Sequence, residues 1–238
     1  MPNNKKLYLK SYEETYLTKS AFFNAYFNKK LKENREKIHN IFLNNVEYTD
    51  QKSLLDIGTT PSLEPHNNII LEKTSQNNNV SCLSNQDCSV LKNKFKNIKD
   101  FFIRDGKNTN LPSENYDIVY SSAVIEHVGS LEEQIKFVKE CSRLSKNEVF
   151  ITTPNKFFPI EFHTKIPFLH LLPNKIYRKI LNFFGLGFFS LEENLNLLSK
   201  KDLVYICENL NIKNYFILEY KIWFMTSNFI LIIKKNNY

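Results

Sequence analysis

Short apolar runs alternate with helical or polar segments between residues 50 and 155, and this rhythm constrains the chain more than any other feature. SLLDIG (53–58) is a buried strand entering a turn, and Val80–Leu83, Phe101–Arg104, Tyr116–Tyr120 and Glu148–Thr152 are four more strand candidates. Strands separated by helices predict a parallel sheet with helices on both faces. Upstream, Phe22, Phe23, Tyr26, Phe27, Leu31, Ile38 and Ile41 recur at helical spacing over 20–45. Ser130 with Glu133, and Ser199 with Asp202, form capping-box pairs that open LEEQIKFVKECSRL and KDLVYICENL as helices. The chain ends in two strand-like stretches, Tyr215–Ile222 and Asn228–Lys234. The order is therefore five β/α steps, an insertion, a helix and a terminal hairpin.

A chain of 238 residues with 42% hydrophobic side chains suits one large α/β domain, expected to span 1–238. Residues 1–49 are then a helical lead-in, its first 19 residues irregular or weakly helical, and 156–198 an aromatic insertion. The net charge is +7, but the lysines are scattered and no run reaches the ~5–8 basic residues of a nucleic-acid tract. A solvated lysine-rich surface is the expectation, and nucleic acid is not an expected partner. Cys82, Cys88, Cys141 and Cys207 form no C-x-x-C pair and have no histidines at metal spacing, so reduced buried thiols and no metal are expected. The polar start, MPNNKKLYLKSYEETY, has no apolar signal core, and no apolar stretch nears the ~18 residues that span a bilayer. The expected location is the cytoplasm.

LLDIGTTPS (54–62) carries the first resemblance, to the D-x-G turn that ends strand one of class I, Rossmann-like, S-adenosylmethionine-dependent methyltransferases. IRDGKNTNLPSENYDIVYSSAVIEHVGSLEEQIKFVKECSRLSKNEVFITTPN (103–155) resembles the central block of that family. There an acid follows strand three, Leu-Pro precedes strand four, E-H-V follows it, and strand five ends in Thr-Pro-Asn. SNFILIIKK (227–235) is similar to the family's last strand. The resemblance implies a three-layer Rossmann-like fold with a mostly parallel seven-stranded sheet and an antiparallel last strand.

It also implies S-adenosylmethionine as cofactor, with Asp56, Gly58 and Thr59 at its methionine end. Gly58 would leave room for the ligand. Ser84 and Asn85 stand where the family places a ribose-binding acid, Asp105 with Gly106 falls at the adenine, and Ser121 and Ser122 follow strand four. The sequence departs from the family at Thr59–Thr60–Pro61, where further glycine is usual, so this loop must take another path.

Methyl transfer from a sulfonium is an in-line displacement, so the protein mainly aligns acceptor and methyl, with a base helping a hydroxyl acceptor. His127, Glu161 and His163 are the candidate catalytic residues. His127 reads as a base or acceptor contact, or as a histidine that holds backbone. His163, with Glu161 as its orienting partner, reads as a base or as part of a packed lid. Glu126 and His66 read as structural, His170 as a core residue and His39 as a surface one.

Residues 154–198 hold four of the eight prolines and many aromatics, and NKIYRKILNFFGLGFF supports an amphipathic basic helix. It either packs on the domain or touches a lipid-linked acceptor or membrane surface through 157–190. The expected activity is O-methylation of a small molecule or of a surface-glycan or lipid-linked sugar, of the bacterial type. A quinone or lipid methyltransferase, and a non-catalytic binding protein of the same fold, are the alternatives.

Overall fold

A computed structural model describes residues 21–74, 79–222 and 224–235. The expectation for residues 1–19 lies outside them. Seven strands form one sheet: β1 (Leu54–Ile57), β2 (Val80–Ser84), β3 (Ile98–Ile103), β4 (Tyr116–Ser122), β5 (Ser145–Pro154), β6 (Tyr215–Ile222) and β7 (Met225–Lys234). Their order is β3-β2-β1-β4-β5-β7-β6. The first five pair in parallel, and β7 lies antiparallel to both β5 and β6, as the family resemblance implied.

Helices cover both faces: α1 (Ala21–Asn45), α2 (Ile69–Lys73), α3 (Leu91–Lys94), α4 (Leu131–Leu144), α5 (Asn174–Phe183), α6 (Gly187–Ser190) and α7 (Lys200–Asn209). The central strands read as unbroken apolar runs because both faces are covered. Side-chain alternation sorts them into two cores. Leu55, Val119, Val149, Ile151, Leu231 and Ile233 pack with Phe137 of α4 and Leu203 and Ile206 of α7. Leu54, Ile118, Tyr120, Phe150, Ile230 and Ile232 face the other way, onto Ile38 and Phe42 of α1 and Ile70 of α2. Phe42 sits edge-on to the stacked rings of Tyr120 and Phe150, at centroid distances of 5.4 and 5.2 Å.

Ser199 and Asp202 close a reciprocal capping box at α7. At α4 only half forms: Ser130 accepts from the Glu133 N–H, while the Glu133 carboxylate binds Lys107 and Lys136 instead. His39 is a correction. It is 3% exposed rather than on the surface, stacks on Phe42, and burial with nearby Lys73 pulls its pKa down to about 4. All four cysteines are buried thiols outside any disulfide.

The insertion after β5 builds a small core of its own from Tyr177, Leu181, Leu186, Phe189 and Leu195. Tyr177 and Leu181 are one helical turn apart on the inner face of α5. Its outer face leaves Ile176 and Phe183 exposed, and Phe184 follows the helix end. No helix among the described residues is long and apolar enough to cross a membrane.

Candidate active site

The strand order reverses between β1 and β4, which are neighbours although β2 and β3 intervene in sequence. In open α/β sheets ligands sit at the carboxyl ends of strands at such a switch point. Here those ends carry Asp56–Thr59 and Ser121–Val124.

Asp56 is buried at the end of β1, and its Oδ2 accepts a 2.7 Å hydrogen bond from Thr59. Burial pushes its carboxyl up to about 6, against the opposing pull of that hydroxyl. Gly58 takes φ +100°, and a Cβ there would lie 2.1 Å from Val124 Cγ2. The glycine is thus required by Val124 and by the turn, rather than only by room for a ligand. The other path of the loop is held by Asn68, which sequence reasoning missed. Its Oδ1 accepts from Thr60 N, and its Nδ2 donates to the carbonyls of Thr60 and Ser62. One side-chain amide thereby fixes the segment where the family usually has further glycine. Only the folded loop reveals this, because an asparagine ten residues past the turn carries no signal of its own.

Ser121 is fully buried, and its hydroxyl donates to the Ile57 carbonyl at 2.9 Å, tying β4 to the end of β1. That hydroxyl is therefore engaged with the backbone at the end of β1. Ser122 shares a hydrogen bond with Thr152, and Ala123 follows at φ +56°. Ser84 is buried and its Oγ accepts from Gln86 N, whereas Asn85 is exposed. Asp105 is exposed, with Oδ1 accepting from Lys107 N and Oδ2 3.8 Å from the Lys107 ammonium. Gly106 fits where a Cβ would come within 3.0 Å of both Ile57 and Phe137.

The three candidate catalytic residues, 36 positions apart at their extremes, come together in one hydrogen-bonded chain. His127 lies on a separate 3-10 turn, Ile125–His127, rather than at the start of α4. Its Nδ1 is 2.6 Å from the Asn194 carbonyl, and its Nε2 is 2.9 Å from His163 Nε2. His163 Nδ1 is 2.6 Å from Glu161 Oε1. Glu161 is itself gripped by the backbone N–H groups of His163 and Thr164. Burial opposes its charge, but His163 and those N–H groups outweigh it and hold the carboxyl near 2. Burial likewise opposes charge on His163, and Glu161 outweighs it, raising the imidazole pKa. Burial and His163 together push His127 down to about 4.

Glu126 completes the group. It is fully buried, its Oε2 accepts from Thr153, and its Oε1 has no hydrogen-bond partner. Burial raises its carboxyl to about 7. The insertion is fastened to this turn by Asn196, whose N–H donates to the Glu126 carbonyl and whose side chain donates to Gly129. Gln134 of α4 bridges the Ile125 and Asn196 carbonyls.

Residues 73–152 match the family model described as a methyltransferase domain. This segment of the chain is similar to a methyltransferase domain. Solved structures share the fold of this chain. One is a SAM-dependent methyltransferase from Archaeoglobus fulgidus, 16% identical, with a TM-score of 0.55 over 84% of this chain and 94% of that one. Another is magnesium protoporphyrin IX methyltransferase from Synechocystis PCC 6803 with bound SAH, 12% identical, with a TM-score of 0.59 over 99% and 95%. A third, a SAM-dependent methyltransferase from Aquifex aeolicus, is 15% identical, with a TM-score of 0.53 over 86% and 95%. No curated protein matches the chain.

Proposed function

We propose that this methyltransferase moves the methyl group of S-adenosylmethionine to an oxygen of a sugar or other small molecule. S-adenosylmethionine is the cofactor of the domain class, and the residues fit it. Asp56 is a buried carboxylate held by the neutral Thr59 hydroxyl, with no cationic partner among the described residues, suited to the methionine ammonium. Asp105 keeps Oδ2 free of short hydrogen bonds at the carboxyl end of β3, suited to the adenine amino group. The bound cofactor supplies an electrophilic methyl, and the chain's task is to orient the acceptor and manage its proton.

The observation that carries the oxygen acceptor is the cluster of Glu161, His163 and His127 beside the end of β4. Carbon and thiolate nucleophiles need less help with a proton than a hydroxyl does. An apolar surface supports a lipid-linked form of the acceptor. Phe168, Leu171, Leu172, Ile176, Phe183 and Phe184 are exposed together with Lys175 and Lys179.

The test begins with calorimetric titration of S-adenosylmethionine and its demethylated product. Micromolar binding is expected, weakened by about 1–3 kcal/mol in Asp105→Ala. Methyl transfer to a panel of glycan, lipid-linked sugar and quinone acceptors then follows. Turnover on quinone alone would replace the sugar reading, and no cofactor binding would leave a non-catalytic relative.

A further inference from the structure

His127 Nδ1 faces a backbone carbonyl and His163 Nδ1 faces a carboxylate. Both partners only accept, so each Nδ1 must carry its proton. A neutral imidazole then has a bare lone pair on Nε2. The two Nε2 atoms nevertheless face each other at 2.9 Å. Two lone pairs do not bond, so something positive belongs between them: a proton on one ring, or a metal ion.

The third side chain decides between these. Glu126 Oε1 is fully buried, has no hydrogen-bond partner, and lies 4.0 Å from His127 Nε2. The ligand atoms of Glu126, His127 and His163 all fall within 4.8 Å of one another. One shared proton satisfies the two nitrogens and leaves the carboxylate oxygen unpartnered, at the usual cost of a buried polar atom. A metal ion takes all three lone pairs. It also balances two buried carboxylates, Glu126 and Glu161, whose ion-pair contacts are these histidines.

We propose that Glu126, His127 and His163 form a three-ligand site for a divalent transition metal of the zinc class. Two imidazoles and one carboxylate suit zinc far better than magnesium or calcium, which prefer all-oxygen shells. Tetrahedral bonds of about 2.1 Å set two ligand nitrogens about 3.4 Å apart, so the rings need to part by only about half an ångström. The surrounding contacts are those of metal-bound histidines: Glu161 orients His163, and the Asn194 carbonyl orients His127. His127 is 29% and His163 15% exposed, so solvent reaches part of each ring. If the methyltransferase reading holds, an acceptor hydroxyl bound to the metal loses its proton more readily. Metal binding itself does not depend on that reading.

Chelator-treated full-length protein would be titrated with zinc alone by calorimetry and with cobalt by visible absorption, and separately with the demethylated cofactor. One equivalent of zinc is expected, with the cobalt bands of a low-coordinate nitrogen–oxygen site. His127→Gln and His163→Gln should each weaken zinc at least 100-fold, and Glu161→Gln about 10–100-fold, with unchanged circular dichroism. No stoichiometric zinc in wild-type protein that binds the demethylated cofactor overturns the metal site. So does zinc binding undiminished in His127→Gln. Zinc uptake without cofactor binding instead removes the methyltransferase reading and leaves the metal site standing.

Discussion

Two single residues carry consequences that can be measured directly. Asp56 has its carboxyl raised to about 6 by burial, and only Thr59 offsets this. An ammonium group brought against it favours the charged form and drives the proton off. Affinity for S-adenosylmethionine should therefore be full above pH 6 and fall as pH drops below it, with proton release on binding near pH 6. Calorimetry in buffers of different ionisation enthalpy reads both, and Asp56→Asn should flatten the dependence. Gly58→Ala places a methyl 2.1 Å from Val124 at φ +100°. It should destabilise the protein by about 2–4 kcal/mol, read as a lower denaturation midpoint. Both residues were visible in the sequence as a D-x-G turn. The role of Asn68 was not, because its three hydrogen bonds exist only once the loop has folded back.

At the scale of elements, all seven strands and the main helices were legible, since hydrophobic period and capping residues are local properties. The β3 strand begins at Ile98 rather than Phe101, and β5 at Ser145 rather than Glu148. Parallel pairing with β2 and β4 extends these strands over polar residues that periodicity alone does not mark. His39 was misplaced for a related reason. The face of α1 that turns inward is fixed by Phe42 meeting Tyr120 and Phe150, a contact between distant segments. Helix α5 has its own testable property. Its exposed Ile176 and Phe183, with neighbouring Phe184 and Lys175 and Lys179, should bind vesicles rich in anionic lipid and ignore zwitterionic ones. Phe183→Ser with Phe184→Ser should weaken co-sedimentation about tenfold, without lowering thermal stability.

The whole molecule should lose stability in acid through identifiable pairs. Arg143 grips Glu140 with two hydrogen bonds of 2.7 Å. Burial tends to raise the Glu140 pKa, but Arg143 and Thr109 outweigh it and hold it near 2. A carboxyl depressed in the folded state stabilises above its unfolded value of about 4.5, and that stability disappears as pH falls toward 2. The pair should contribute about 1–2 kcal/mol at neutral pH after solvent screening. Denaturant midpoints at pH 7 and pH 3 should converge between wild type and Glu140→Gln. The candidate cluster shows why composition and spacing reach a limit at this scale. His127 and His163 were each singled out, yet no spacing rule connects residues that meet only because the insertion folds back over β4.

That meeting has a mechanical corollary. The histidine cluster is divided across a seam: Glu126 and His127 belong to the 3-10 turn that follows β4, His163 and Glu161 to the insertion. An excursion that swung the insertion outward would also part the cluster into two halves. A centre built across this seam would be assembled afresh whenever the insertion closed. The protein would behave less like a pocket with a door than like a circuit whose contacts touch only when the cover is shut.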